Sequence, residues 1–510
     1  MRFLPAAGLI VLLLWAGLSP AQESIRETSQ ENLRETFQET FQAAMPAQPD
    51  TGIINTRLAW EKVAAARDAA AADRHHDAVA DYLDALANDA SLVPRVAQEI
   101  AYQKLWREDA DKAIFYFRRY LARHPQGSNR SVRNGLAMAY SWSGRQPEAI
   151  ALYRDLVQED RADGAARLGL GRSLLWNNNL RAGMNVVRGV EDEFPADSRP
   201  GRQASHFLLT VLDGYTPHLM LKARGTWESD GLDTYRLGPE MHLEVLGNML
   251  LQVAPSASLF QMPEQPNVFA QRFQLGLIGP LAHNWNLHAY GWLEHFRSRD
   301  PIESGAAEDL KWTRPGGDLW LTWLAHPKVR LDFGGASQPV LTYQAFAKEL
   351  GYIQGSVSSD WRFARHFSLG ASGIYGDYSD DNTKWQGKAS LYWRRGGKVQ
   401  ILTGPVLTYM DFERAYPGGY WAPDWVRNAS WRLMLTTRTE RSVFRLDGTL
   451  GLETELGADT LTVAGISGHW GRRFADEWLV ALEAGHGRSR FDSAGGYHRT
   501  FVELSLRAMF

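Results

Sequence analysis

The sequence predicts an α + β multidomain chain, an N-terminal helical solenoid followed by a C-terminal antiparallel β-barrel of about 16 strands, and three observations carry the prediction. Up to about residue 213 the texture is rich in Ala, Leu and Arg, and a frame of small and aromatic residues recurs at intervals of 35, 36 and 34 residues. From residue 218 the apolar pattern changes to period 2 and does not change back. The final stretch keeps that period, with Val502, Leu504, Leu506, Ala508 and Phe510 on one face and Phe501, Glu503, Ser505, Arg507 and Met509 on the other.

Composition narrows the class. A net charge of -3 with 22% charged residues excludes a nucleic-acid-binding protein driven by bulk basicity. The absence of cysteine removes disulfides, thiolate nucleophiles and cysteine-ligated zinc together. Nineteen tryptophans and 46 glycines are expected where rings anchor at membrane interfaces and strands coil tightly. Residues 1–21 read as a signal peptide, with Arg2, an apolar run from Phe3 to Leu18 and small residues at Ser19 and Ala21, so cleavage is expected after Ala21. That run falls short of the roughly 20 residues a spanning helix needs. Residues 22–56 form a polar arm in which Leu33, Phe37 and Phe41 have the spacing of a short amphipathic helix.

The solenoid is expected over 57–214. With Ala149 as anchor, Leu136, Ala137, Tyr140 and Gly144 precede it and Tyr153 follows by four. The frame repeats on Ala78 with Tyr82, on Ala113 with Phe117, and on Gly183 with Leu170, Gly171 and Leu174. This spacing resembles the tetratricopeptide repeat, in which the small residues sit where paired helices touch and the aromatics fill the space beside them. Ser198–Asp213 reads as a capping helix. His75-His76-Asp77 reads as an exposed turn between two helices.

The barrel is expected over 215–510, as a transmembrane barrel of the bacterial outer membrane. Ending on an apolar strand with a terminal Phe is a habit of such barrels. The connections alternate between tight ones, such as His326-Pro327 and Gly396-Gly397, and long ones, such as 298–312 and 412–424, as periplasmic turns and external loops should. Trp285, Trp323, Trp361, Trp393, Trp470 and Trp478 all fall at strand ends in the lipid-facing phase on the short-turn rim. Strand eight is expected from about residue 347 to 362.

The same phase lists the lumen. It places Arg236, Glu240, His242 and Glu244 inside on one strand and His288, Tyr290, Trp292 and Glu294 on another. Further strands contribute Lys388, Tyr392 and Arg394, then Arg445, Asp447 and Glu453, and finally Glu503 and Arg507. Aromatic faces stack on sugar rings and carboxylates accept from hydroxyls or attract ammonium groups, so this wall suits a neutral or weakly cationic glycan. The alternative is that the charges only pair across strands in a wet interior. Asp377, Asp380 and Asp381 form an acidic loop cluster, read as a solvated tip because ligand spacing for calcium is absent.

Taken together, these features resemble the outer-membrane exporters of bacterial exopolysaccharides, most the poly-N-acetylglucosamine export porins and next the outer-membrane subunits of cellulose synthase. Gly418-Gly419-Tyr420-Trp421-Ala422-Pro423 is similar to a loop signature of the cellulose subunits, although the solenoid is far shorter than in those families. The resemblance implies passive passage of a polysaccharide through the barrel, with the periplasmic helical region guiding the polymer or docking synthase or tailoring proteins. No catalytic residue, metal or cofactor is expected: Gly-x-Ser-x-Gly and His-Glu-x-x-His are absent. A receptor or adhesin barrel is the alternative, and an outer-membrane lipid- or glycan-modifying enzyme a further one.

Overall fold

The computed structural model describes residues 55–510 apart from 108, 125–129, 196, 212–215, 230, 246–248, 264, 283, 299–309, 327, 365, 397–398, 416–419, 440, 475–476 and 490–497. The predicted signal peptide, the arm up to residue 54, and Gly418 and Gly419 lie outside the described residues. Two compact units make up the chain, Met1–Ser128 and Asn129–Phe510.

The first unit holds helices α1 (Thr56–Ala71), α2 (His75–Asn88), α3 (Val93–Trp106) and α4 (Ala110–Arg123). The second begins with α5 (Arg130–Trp142), α6 (Gln146–Glu159), α7 (Gly164–Trp176), α8 (Leu180–Glu193) and α9 (Arg199–Val211). Side-chain caps start several of them: Asn55 accepts from the Leu58 amide of α1, and Asp163 from the Ala166 amide of α7. The second helix of each pair starts at His75, Ala110, Gln146 and Leu180, three residues before the anchors Ala78, Ala113, Ala149 and Gly183. All four anchors are buried, and Tyr82, Phe117 and Tyr153 are buried one turn later. The repeat is therefore one of tetratricopeptide-like helix pairs. His75, His76 and Asp77 differ from expectation: they form the first turn of α2, where Asp77 favours the positive end of the helix dipole and His75 Nδ1 lies 2.7 Å from Gln103 Oε1.

The barrel consists of β1 (His218–Glu228), β2 (Asp233–Val245), β3 (Met249–Gln261), β4 (Val268–Ala282), β5 (Trp285–Arg297), β6 (Lys311–His326), β7 (Val329–Pro339) and β8 (Gly351–Ala364). It continues through β9 (Phe367–Tyr378), β10 (Thr383–Arg395), β11 (Val399–Phe412), β12 (Trp425–Arg438), β13 (Ser442–Glu455), β14 (Leu461–Phe474), β15 (Trp478–Arg488) and β16 (His498–Met509). Each strand pairs antiparallel with its sequence neighbours, and β1 pairs with β16 from His218↔Met509 to Glu228↔Arg499, which closes the sheet.

Seven connections of two or three residues lie on one rim, and connections of four to thirteen residues on the other. The outer face carries leucines, isoleucines and aromatics in the open, with Ile353 64% and Leu450 63% exposed. Only lipid satisfies such a belt, and the barrel spans a bilayer as outer-membrane barrels do. Trp285 stacks on Trp323 at 5.3 Å on the short-turn rim, and Trp361, Trp470 and Trp478 are exposed there. Trp227 with Tyr235, and Tyr375 with Trp385, form a second girdle at the other end.

The start of strand eight differs most from the sequence reading. Residues 347–350 are not strand; Tyr343–Ala347 is a short helix, α10, capped by Thr342, whose Oγ1 accepts from the Ala345 amide at 3.1 Å. The local apolar residues Phe346, Ala347 and Leu350 have helical spacing, which overrides the alternation expected of a strand.

The α7–α8 contact tests the repeat. A Cβ on Gly183 would meet Leu175 Cγ at 2.5 Å and the Gly171 carbonyl oxygen at 2.8 Å, and the second of these is backbone that cannot step aside. Gly183→Ala is expected to destabilise the helical region by about 1–3 kcal/mol despite the better helix propensity of Ala. A denaturant titration followed by helical circular dichroism checks this, and an unchanged midpoint would contradict the close approach.

Candidate functional site

The lumen is built by the alternation that leaves the outer face apolar. Arg236, Glu240, His242, Glu244, His288, Tyr290, Trp292, Glu294, Lys388, Tyr392, Arg445, Asp447, Glu453 and Glu503 all lie on the face opposite the lipid belt. Most of the carboxylates are already engaged across strands. Glu240 meets Lys222 at 3.0 Å, Glu503 meets Arg224 at 3.4 Å, and Glu294, 1% exposed, meets Arg272 at 2.7 Å. Asp447 is held by Arg432, and Glu453 accepts from Asn428 at 3.2 Å and Ser489 at 2.9 Å. Asp332 takes Arg330 of its own strand and accepts from Thr322 of β6 at 2.5 Å, and Asp360 takes Arg394 of β10. Pairing across strands, the alternative weighed from sequence, thus accounts for these acids; it removes them as a free attraction for ammonium groups.

The aromatics are seated by glycines on neighbouring strands. The Tyr290 ring lies where a Cβ on Gly276 would be, and the Trp292 indole where one on Gly316 would be. Arg272 sits over the Trp292 ring at 4.6 Å, so that residue stabilises the wall in two ways. Glu244, His288, Lys388 and Arg445 are exposed to the lumen along the wall. These fourteen predicted residues of the wall therefore share one surface, but they are spread along it and do not converge on one point.

Convergence occurs at the long-loop mouth. The β7–β8 connection folds inward and is closed on itself by Val340 N donating to Leu350 O at 2.9 Å. Its α10 drives Phe346, fully buried, against Phe260 at 4.8 Å and Phe296 at 5.6 Å, and Phe296 stacks on Trp312 at 4.3 Å. On its other side Ala345 and Leu350 join Met410, Phe412, Tyr420 and Ala422 in a second apolar cluster. The Tyr420-Trp421-Ala422-Pro423 part of the loop motif therefore packs into the mouth. Tyr420 stacks on Tyr378 with centroids 4.8 Å apart, and Trp421 Nε1 donates to Glu455 at 3.4 Å.

The acidic cluster has a definite task here. Asp380 accepts from the Tyr420 hydroxyl at 3.2 Å, while Asn382 bridges both backbone groups of Arg414 at 3.0 Å and donates to Tyr420 at 3.1 Å. Asp381 occupies a left-handed turn, φ 60°. Of the three aspartates Asp380 holds the loop against the strand ends, and no group of metal-binding side chains occurs among the described residues.

Between this packed loop and the far wall remains a cavity of about 520 Å³. It touches Arg224, Arg236 and Arg499 on β1, β2 and β16 and also Tyr378, Lys384 and Phe412 on β9, β10 and β11. Strands half a circuit apart line one space, so the cavity is the narrowed aperture of the barrel. Lys222, Arg224, Arg272, Lys384 and Arg499 were not among the sequence candidates; the signal for them is the same period-2 phase that places Arg236 inside. At the opposite rim the α7–α8 turn meets the barrel, with Asn178 Nδ2 donating to the Ala282 and Trp285 carbonyls of the β4–β5 turn.

No protein-family model matches the chain, and none of the curated proteins matches it in sequence. Solved structures with a similar chain path include a bacterial polysaccharide outer membrane secretin, at a TM-score of 0.46 and 12% identity, covering 58% of this chain and 99% of that one. The CymD monoaromatic hydrocarbon channel gives 0.34 and 12%, covering 64% and 97%. A tetratricopeptide repeat protein from Parabacteroides merdae gives 0.26 and 14%, covering 31% and 62%. Likenesses this distant concern chain path alone and transfer neither substrate nor partner.

The docked loop carries a pH signature. Burial pushes the Tyr420 phenol up to about 12 from its ordinary 10.0, with Asp380 adding to the shift and Asn382 opposing it. The docked state therefore holds this proton more tightly than a released loop. Its contribution is whole below pH 10 and is lost as the pH rises through about 12. Single-channel conductance is expected to step upward across that window, and Tyr420→Phe to remove the step. Asn382→Ala, which strands both Arg414 backbone groups at a cost of about 1–3 kcal/mol, is expected to raise conductance and loop proteolysis at neutral pH.

Proposed function

We propose that this protein is an outer-membrane conduit through which a secreted polysaccharide leaves the cell. The observation that carries the reading is the aperture, an aromatic shelf of Tyr352, Tyr378 and Trp421 facing a polar wall across a cavity of about 520 Å³. Sugar rings stack on such faces, and a chain of rings moves past them without a single tight site. The self-paired charges of the remaining lumen support passage, because a wall whose ions are matched holds a threading polymer weakly.

The contact of Asn178 with the short-turn rim supports a periplasmic position for the α5–α9 region. Helix-pair repeats of this kind present grooves to partners. The reading gives them the task of guiding the polymer or docking a synthase or tailoring protein. Poly-N-acetylglucosamine-like and cellulose-like chains are the cargo classes that the sequence resemblance implies. The barrel itself supplies no chemical step and works without cofactor. A closed receptor barrel is the second reading, favoured by the apolar packing of Phe346 across the mouth.

Deleting the gene tests the proposal in the organism. Loss of surface polysaccharide with retention of polymer in the periplasm is expected, restored by the full chain. Unchanged surface glycan would overturn export and favour the receptor reading.

A further inference from the structure

Charge is distributed unevenly between the shaft of the lumen and its aperture. Along the shaft many acids and bases are matched, as Glu294 with Arg272, Asp447 with Arg432 and Asp360 with Arg394 show. At the aperture the described lining contains Arg224, Arg236, Arg499 and Lys384 against one carboxylate, Glu228. Glu503 reaches Arg224 at 3.4 Å, and Glu228 reaches Arg499 at 3.5 Å. Among the described residues no carboxylate lies within salt-bridge distance of Arg236 or Lys384.

The register makes this arrangement costly. Arg224 and Arg236 are Cα partners across β1 and β2, both facing inward, and like charges directly opposite on one sheet face repel. Arg236 is steadied by Nε donating to Ser258 Oγ at 2.9 Å, a neutral partner that fixes its place and leaves its charge. The acids Asp380 and Glu455 near the mouth accept from Tyr420 and Trp421, and neither lies within salt-bridge distance of Arg236. A local rule broken in a narrowed, low-dielectric passage is where function is to be sought.

We infer that the aperture selects an acidic glycan, a polymer whose sugars carry carboxylate groups, with the rings stacking on the Tyr352, Tyr378 and Trp421 shelf and the carboxylates passing along Arg224, Arg236, Arg499 and Lys384. This rests on the export reading and sharpens it: whatever the backbone of the cargo, its passing groups bear negative charge. A neutral polymer would leave Arg236 and Lys384 unanswered, and a cationic one would be repelled. The geometry thus reverses the preference for neutral or weakly cationic glycans that the sequence suggested, because the carboxylates behind that preference are occupied. A passage lined with one sign of charge concentrates the opposite ion by about 10-fold or more at low salt.

The test uses the full chain in planar bilayers, recorded one channel at a time at low and high salt. Oligogalacturonates, cello-oligosaccharides and chitosan oligosaccharides of matched length are added from the short-turn side. Chloride selectivity and block by oligogalacturonate at about tenfold lower concentration than by the neutral series are expected, the difference shrinking as salt rises. Arg236→Gln with Lys384→Gln should abolish the difference, and the charge-keeping pair Arg236→Lys with Lys384→Arg should retain it. Equal or stronger block by neutral or chitosan oligosaccharides would overturn the acidic cargo while leaving export standing. Failure of every oligosaccharide to enter would overturn both.

Discussion

Closure of the sheet between β1 and β16 is the interaction on which everything else rests. In lipid a strand edge has no water to answer its N–H and C=O groups, and each orphan costs several kcal/mol. Pairing His218–Glu228 with Arg499–Met509 removes the last edge. Once the hoop is shut, alternation leaves two surfaces with opposite demands. Residues such as Leu237, Leu407 and Leu504 face hydrocarbon, and their neighbours in sequence face water.

The wet surface then has to solve its own electrostatics. Long cationic side chains reach across one strand spacing to acids on the next, and glycines such as Gly276 and Gly316 clear room for rings to lie flat against the wall. The result is a shaft in which many of the charges are matched, as Glu294 with Arg272 and Asp447 with Arg432. Near the long-loop end the described lining carries four cationic side chains against one carboxylate, and there the loops also fold in. Constriction and imbalance coincide at the aperture, which is where the proposed export reading puts selection of the cargo.

Much of this was legible in the sequence. Period 2 and alternating connection lengths predicted strand number and inside from outside, because both are set by local geometry that lipid enforces. The solenoid frame located the contact positions of the helix pairs, since Ala78, Ala113 and Ala149 must be small to let helices touch. What sequence did not show was who pairs with whom. Glu240 and Glu294 read as free carboxylates until the register brought Lys222 and Arg272 beside them. The inward turn of 340–350 was hidden for another reason: Phe346, Ala347 and Leu350 look like the start of a strand unless Thr342 is recognised as a helix cap.

That inward turn has a mechanical side. A water-filled cylinder lacks the packed core that keeps a smaller barrel round, and lateral pressure from lipid would flatten it into an oval. The segment carrying Phe346 is gripped by β3, β5 and β6 through Phe260, Phe296 and Trp312, and by β11 and the β11–β12 loop through Met410, Phe412 and Tyr420. It therefore acts as a spoke across the hoop. Withdrawing it would both widen the passage and soften the rim, so roundness and bore are set by one and the same strut.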